Sequence, residues 1–150
     1  MKGNIKILMA IVLTVSLLCS LIGCSPAIDT SEITVLTEDF IDRVIENDSN
    51  GAYGMMVSES CTEEEFKTFY KTLYSFFKDV EDYELNVLGW NKILNGGKSY
   101  TKITYQVVTD DGRRCQLAVT TVSGSEGIGR IDFNETYNPG VNPGDSSNTI

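Results

Sequence analysis

The sequence predicts an α+β domain, with N-terminal helices packed on one face of a curved antiparallel sheet of about four meandering strands. Three observations carry this expectation. Apolar residues recur every three or four positions through the first half of the chain behind its apolar leader. After Asp82 the period drops to two. Short turn-forming runs separate the later segments, as antiparallel neighbours require.

The first helix is read from Ile33, Leu36, Phe40 and Val44, with Ile41 and Ile45 widening the stripe to one amphipathic face. Asn47-Asp48-Ser49-Asn50-Gly51 supplies turn formers that stop it, and Ala52 to Val57 reads as a second, short helix. Thr62 and Glu65 have the spacing of a capping box, so Thr62 opens the third helix. Its apolar series is Phe66, Phe69, Tyr70, Leu73, Phe76 and Phe77, the cleanest helical period in the chain.

Four strands follow. Tyr83 to Leu94 ends at Asn95-Gly96-Gly97. Ser99 to Thr109 alternates, with Ile103, Tyr105 and Val107 on one face and Lys102, Thr104 and Gln106 on the other. Asp110-Asp111-Gly112 forms a hairpin turn into Arg113 to Val122, where Cys115, Leu117 and Val119 share a face. Glu126 to Thr136 closes the sheet with Ile131 and Phe133. Tyr100, Val108, Ala118, Val122 and Ile128 are assigned to the face away from the helices. Apolar residues there suggest a homodimer or protein-partner contact through the sheet face.

The chain has 150 residues, 21 acidic and 12 basic, and a net charge of −9. Such a balance argues against nucleic acid as a partner and disfavours anionic headgroups. There is no histidine. That excludes Ser-His-Asp and Cys-His catalysis and every His-ligated metal site. Asp79, Glu81, Asp82 and Glu84 cluster between the third helix and the first strand. They lack the alternating spacing of a calcium loop and read as a solvated acidic face. No metal and no cofactor is expected. No acid stands alone within an apolar stripe, and alternation turns Asp132 away from the core side, so no catalytic residue is assigned.

The first residues carry Lys2 and Lys6 and then an apolar run from Ile7 to Ile22, too short for the roughly 20 residues that span a bilayer. The run ends in Leu21-Ile22-Gly23-Cys24. This layout resembles the bacterial lipoprotein signal peptide and its lipobox. The resemblance implies cleavage before Cys24, a diacylglyceryl thioether on its sulfur, and a mature protein anchored to the cell membrane, facing outside the cytoplasm. On that reading residues 1–23 are the signal peptide, 24–31 the lipid anchor and tether, 32–136 the α+β domain and 137–150 a disordered tail. The leader takes away two basic residues and no acid, so the mature form is more acidic still.

The helix-then-meander order, the Asn47 to Tyr53 junction and the closing Gly127-Ile128-Gly129-Arg130-Ile131-Asp132-Phe133 strand resemble small lipoproteins of the nuclear-transport-factor-like superfamily. Their cone-shaped, cystatin-like roll is shared with ketosteroid isomerase. The resemblance implies a cavity between sheet and helices, which Tyr53, Met56, Tyr70, Tyr74, Trp90, Tyr105 and Phe133 either line or, as ordinary packing, fill. Cys61 and Cys115 likewise have two readings outside the cytoplasm, one disulfide or two separate core thiols. The function expected is a lipid-anchored binding or interaction module without catalysis. The alternatives are a small-ligand-binding lipoprotein using the cavity and, third, an acid–base enzyme of the isomerase or dehydratase type.

Overall fold

The computed structural model describes residues 30–135 and 148–149. The leader, Cys24, the tether as far as Asp29 and all of the tail except Asn148 and Thr149 lie outside the described residues, and the first helix begins at Ser31, inside the expected tether. Among the described residues, three helices, α1 (Ser31–Ile45), α2 (Ser49–Gly54) and α3 (Glu63–Phe77), precede β1 (Tyr83–Asn95), β2 (Lys98–Thr109), β3 (Arg114–Val122) and β4 (Ile128–Asn134). The strands form an antiparallel meander in the order β1-β2-β3-β4, and β5 (Asn148–Thr149) pairs with Phe133 and Asp132 at its far edge. The fold is α+β, and the helices lie on one face of the sheet.

Local chemistry sets the boundaries. α1 stops after Ile45, and Asn47 takes a left-handed conformation (φ 58°) that asparagine tolerates. Asp48 caps α2 through Gly51 N–H at 2.9 Å and is held by Arg43 at 2.7 Å. The short helix therefore begins at Ser49, three residues before the expected Ala52. The capping box of α3 is complete. Thr62 Oγ1 accepts from Glu65 N–H, and a Glu65 carboxylate oxygen accepts from Thr62 N–H at 2.9 Å. At the other end, the Arg113 guanidinium donates to the carbonyls of Phe76 and Lys78 and lies 5.4 Å from the Phe76 ring centre. It thereby supplies the donor that the α3 C-terminus lacks.

The core lies between α1, α3 and the helix-facing side of the sheet. Phe40, Ile41, Phe66, Leu73, Phe77, Ile103, Tyr105, Val107, Leu117, Val119 and Ile131 are fully buried. Each such side chain contributes about 1.5–3 kcal/mol by leaving water. Two hydroxyl contacts align α1 with the first hairpin. Thr34 and Tyr105 share a 3.2 Å hydrogen bond, while Tyr83 O–H donates to Asp42 at 2.9 Å and to the Glu38 carbonyl at 3.2 Å.

Both ends of the sheet carry irregularities that alternation alone does not reveal. β1 shifts register between Val87 and Gly89, leaving Leu88 without an opposite residue. β3 and β4 shift between Thr120 and Thr121, where Gly129 is the extra residue. That bulge turns Ile128 inward. It is fully buried and bridges Met56, so it belongs to the core and not to the outer face to which strict alternation assigned it. Tyr100, Val108, Ala118 and Val122 do lie on the outer face in register with outer residues.

Candidate binding surface

The seven aromatic and methionine positions expected around a cavity separate into three groups. Met56, Tyr70, Tyr105 and Phe133 are buried in the core, and Tyr53 and Tyr74 pack against it. Their rings touch one another and their neighbours. Tyr53 meets Phe66 at 5.1 Å, Phe66 meets Tyr70 at 5.8 Å, Tyr70 stacks on Tyr74 at 6.2 Å, and Phe133 meets Phe76 edge-on at 5.5 Å. Of the two readings, these contacts are packing. Burial pushes the pKa of the Tyr70 hydroxyl above the ordinary tyrosine range, with smaller contributions from Tyr74 and Asp48. Trp90 is not part of this packing and borders a shallow surface concavity with Asn91, Lys102 and Thr104. It is 49% exposed on the edge strand.

The cysteines are not bonded to each other. Cys115 is buried opposite Val107, and burial pushes its thiol well above the usual range. Cys61 is half-buried just before α3. The reason is geometric. Cys61 stands at the N-terminal end of α3, whereas Cys115 follows the arginine pair whose Arg113 caps the C-terminal end. A helix of that length puts the two ends about 20 Å apart, and a disulfide needs Cα atoms within about 7 Å.

The exposed apolar surface is concentrated on β1, the open edge of the sheet. Val87 is 50% exposed, Leu88 45%, Ile93 52% and Leu94 80%. The cause lies in where the helices end. α1 begins one turn before Thr34, which is level with Tyr105 and its partner Val87. Met55 to Val57 cover the β4 side of the sheet's distal half through Val57 N–H to Ile128 O at 2.9 Å and Ile128 N–H to Met55 O at 2.8 Å. No described segment covers the β1 side. The hairpin from Leu88 to Lys98 therefore projects past the helices. Gly96 and Gly97, both left-handed (φ 57° and 79°), close it in a two-residue turn.

On the outer face, near the turn of this hairpin and across the adjoining strands, lies a shallow concavity of about 320 Å³ lined by Ile93, Asn95, Tyr100, Lys102, Thr120, Arg130 and Asp132. Asp132 is held between two cations. Lys102 Nζ donates to one carboxylate oxygen at 2.8 Å and Arg130 Nε to the other at 3.0 Å. The alternation argument put Asp132 on this face, and its pairing with Ala118 places it there. The outward reading did not foresee that Lys102 and Arg130 come from different strands and converge on it. Only the three-strand register juxtaposes residues so far apart in sequence. Tyr100 and Ile93 give the concavity an apolar wall. The remaining N–H groups of Arg130 and the Lys102 ammonium suit an anionic or hydrogen-bonding group beside that wall.

Among the described residues, no helix is long and apolar enough to cross a membrane, and no group of three or more acids or cysteines converges as metal ligands would. The carboxyls of Asp48, Glu65 and Asp111 have lowered pKa values and so are stronger acids than usual. Asp48 and Glu65 are lowered first by backbone N–H donors, Asp111 first by Arg113. No protein-family model matches the chain, and no curated protein matches it.

Proposed function

We propose that this chain is a lipid-anchored, extracytoplasmic binding module without catalysis. Its binding surface comprises the projecting β1–β2 hairpin and the concavity on its outer face. The observation that carries the binding part is the distribution of apolar surface. Among the described residues, helices and sheet bury nearly every large apolar side chain elsewhere, yet Leu88, Trp90, Ile93 and Leu94 remain exposed together on one edge strand. A long apolar edge with unpaired backbone groups is a liability unless something covers it. The anchoring part rests on the lipobox resemblance of Leu21-Ile22-Gly23-Cys24. The absence of catalysis is favoured by the missing histidine, and the carboxyls of Asp48 and Glu65 shift toward ionisation, not toward a proton-holding state.

Intact mass measurement of the chain purified from bacterial membranes tests the anchor. The expected species begins at Cys24 and carries a diacylglyceryl group, with any co-purified small molecule visible under native conditions. A chain that still begins at Met1, or one cleaved but bare at Cys24, removes the anchoring claim.

A further inference from the structure

We infer that the distal β1–β2 hairpin dips into the membrane surface beside the lipid anchor, as a second, shallow contact with the same bilayer. This rests on the lipid-anchored reading above and names the occupant of the exposed edge.

The first argument is direction. Along α1, Asp42 and Glu38 meet Tyr83, and Thr34 meets Tyr105, the partner of Val87. Moving toward the N-terminus of α1 is therefore moving along β1 toward Trp90 and Leu94. The N-terminus of α1 and the hairpin tip lie at the same end of the domain.

The second argument is length. From Val87 to the tip at Leu94 the hairpin extends roughly 20 Å beyond the level of Thr34, at about 3.3 Å per residue. From Thr34 to Thr30 the helix rises about 6 Å, and the chain from Thr30 back to Cys24 spans at most about 20 Å. A lipid on Cys24 and the hairpin tip can therefore reach one plane, and a short tether keeps the tip close to that plane.

The third argument is charge. From Leu88 to Lys98 the projecting hairpin has Lys92 and Lys98 and no acid, although acids outnumber bases across the whole sequence, 21 to 12; Lys102 further along is paired with Asp132. The acidity that disfavours anionic headgroups thus resides elsewhere in the molecule, and the projecting part is positive. Lys92 and Lys98 flank Trp90 and Leu94, the arrangement of an aromatic and aliphatic body with basic groups at headgroup level.

Shape separates a bilayer from a protein partner. Trp90 and Leu94 pair with Ile103 and Ser99 on the helix-facing side, whereas Ile93 pairs with Tyr100 on the other. A docked protein would cover one face, while immersion wets both. The open edge of β1 limits the depth. Its unpaired N–H and C=O groups tolerate the hydrated headgroup zone but not the hydrocarbon core.

Trp90 is the only tryptophan in the chain, so its fluorescence reports this site alone. The full chain, purified from bacterial membranes with its Cys24 mass established, is reconstituted into phosphatidylcholine/phosphatidylglycerol vesicles with and without bromine at the headgroup end of the acyl chains. The expected result is a blue-shifted emission that falls by more than half with brominated lipid and is shielded from aqueous iodide. Leu94→Asp and the pair Lys92→Glu with Lys98→Glu should each restore iodide access. Far-UV circular dichroism and thermal midpoint should not change, because these side chains lie at the exposed edge and turn. A lipidated chain whose Trp90 stays open to iodide and insensitive to bromine overturns the inference and leaves the anchor standing. A blue shift that grows with protein concentration, without bromine quenching, assigns the edge to a second copy and also overturns it. A chain bare at Cys24 removes the anchored reading and this inference with it.

Discussion

Gly127 is the residue on which the helix layer is joined to the last strand. Its φ is 112°, a region side chains avoid, and an added Cβ would stand 2.5 Å from the Met55 carbonyl oxygen. That carbonyl accepts from Ile128 N–H, and Ile128 O in turn accepts from Val57 N–H. Nothing can shift without breaking this backbone pair, since the obstructing atom is itself main chain. Gly127→Ala should therefore destabilise by about 1–3 kcal/mol, the usual cost of one strained backbone site. Urea denaturation followed by circular dichroism measures it. Gly124→Ala is the control. It also has positive φ (80°) but meets nothing within 4 Å, so it should cost only the conformational part. Equal losses in the two variants would show that the close approach at Met55 contributes nothing.

At the scale of elements, the sequence declared what is periodic and concealed what interrupts the period. The capping box, the α3 stripe and the meander order were all legible, because Thr62 with Glu65 and the Phe66 to Phe77 series are local signals. The two bulges were not. A single extra residue at Leu88 or Gly129 reverses the face of everything beyond it, and only the partner strand reveals which residue is extra. The surroundings of Ile128 and Trp90 were illegible for different reasons. The first was turned inward by a bulge, and the second was left bare because α1 begins too late to cover it. The ion cluster of Lys102, Asp132 and Arg130 was illegible because it spans separate strands. The capping box makes its own prediction. Glu65 is lowered mainly by Thr62 N–H and then by the Thr62 hydroxyl, so it is more acidic folded than unfolded. A lowered folded pKa gives a contribution that is complete above the ordinary glutamate value of about 4.3 and is lost as pH falls through the folded value. The stability advantage of the native chain over Glu65→Gln should thus be constant at neutral pH and shrink between about pH 5 and pH 3. A difference independent of pH across that window would mean that the carboxylate charge plays no part. Thr62→Ala, which removes the other half of the box, should cost about 1 kcal/mol at neutral pH.

The whole molecule is divided along its sheet rather than between its layers. The proximal half has helices on one face, Arg113 locking the α3 end to the β2–β3 turn, and Tyr83 fastened to α1. The distal half of β1 has solvent on both faces and a neighbour on one side only. Opening it exposes little apolar surface that is not exposed already, so its local unfolding should be far less costly than global unfolding. Hydrogen exchange on the unlipidated chain should then show a gradient along one hairpin. Amides of Trp90 to Leu94 should exchange orders of magnitude faster than those of Tyr105 and Val107, even though both sets belong to the same β1–β2 pairing. The gradient should also depend on side: Thr101 and Ile103 are held by β3 as well as by β1, and should lie between the two extremes. Uniform protection along β1 would mean that the hairpin is stabilised by its own cross-strand pairs and does not need an external surface. A steep gradient would mark it as a segment whose order depends on what it touches. That is the physical property a surface-seeking hairpin on a tethered domain requires, since a segment with little stability of its own can adapt to an interface without disturbing the core that carries it.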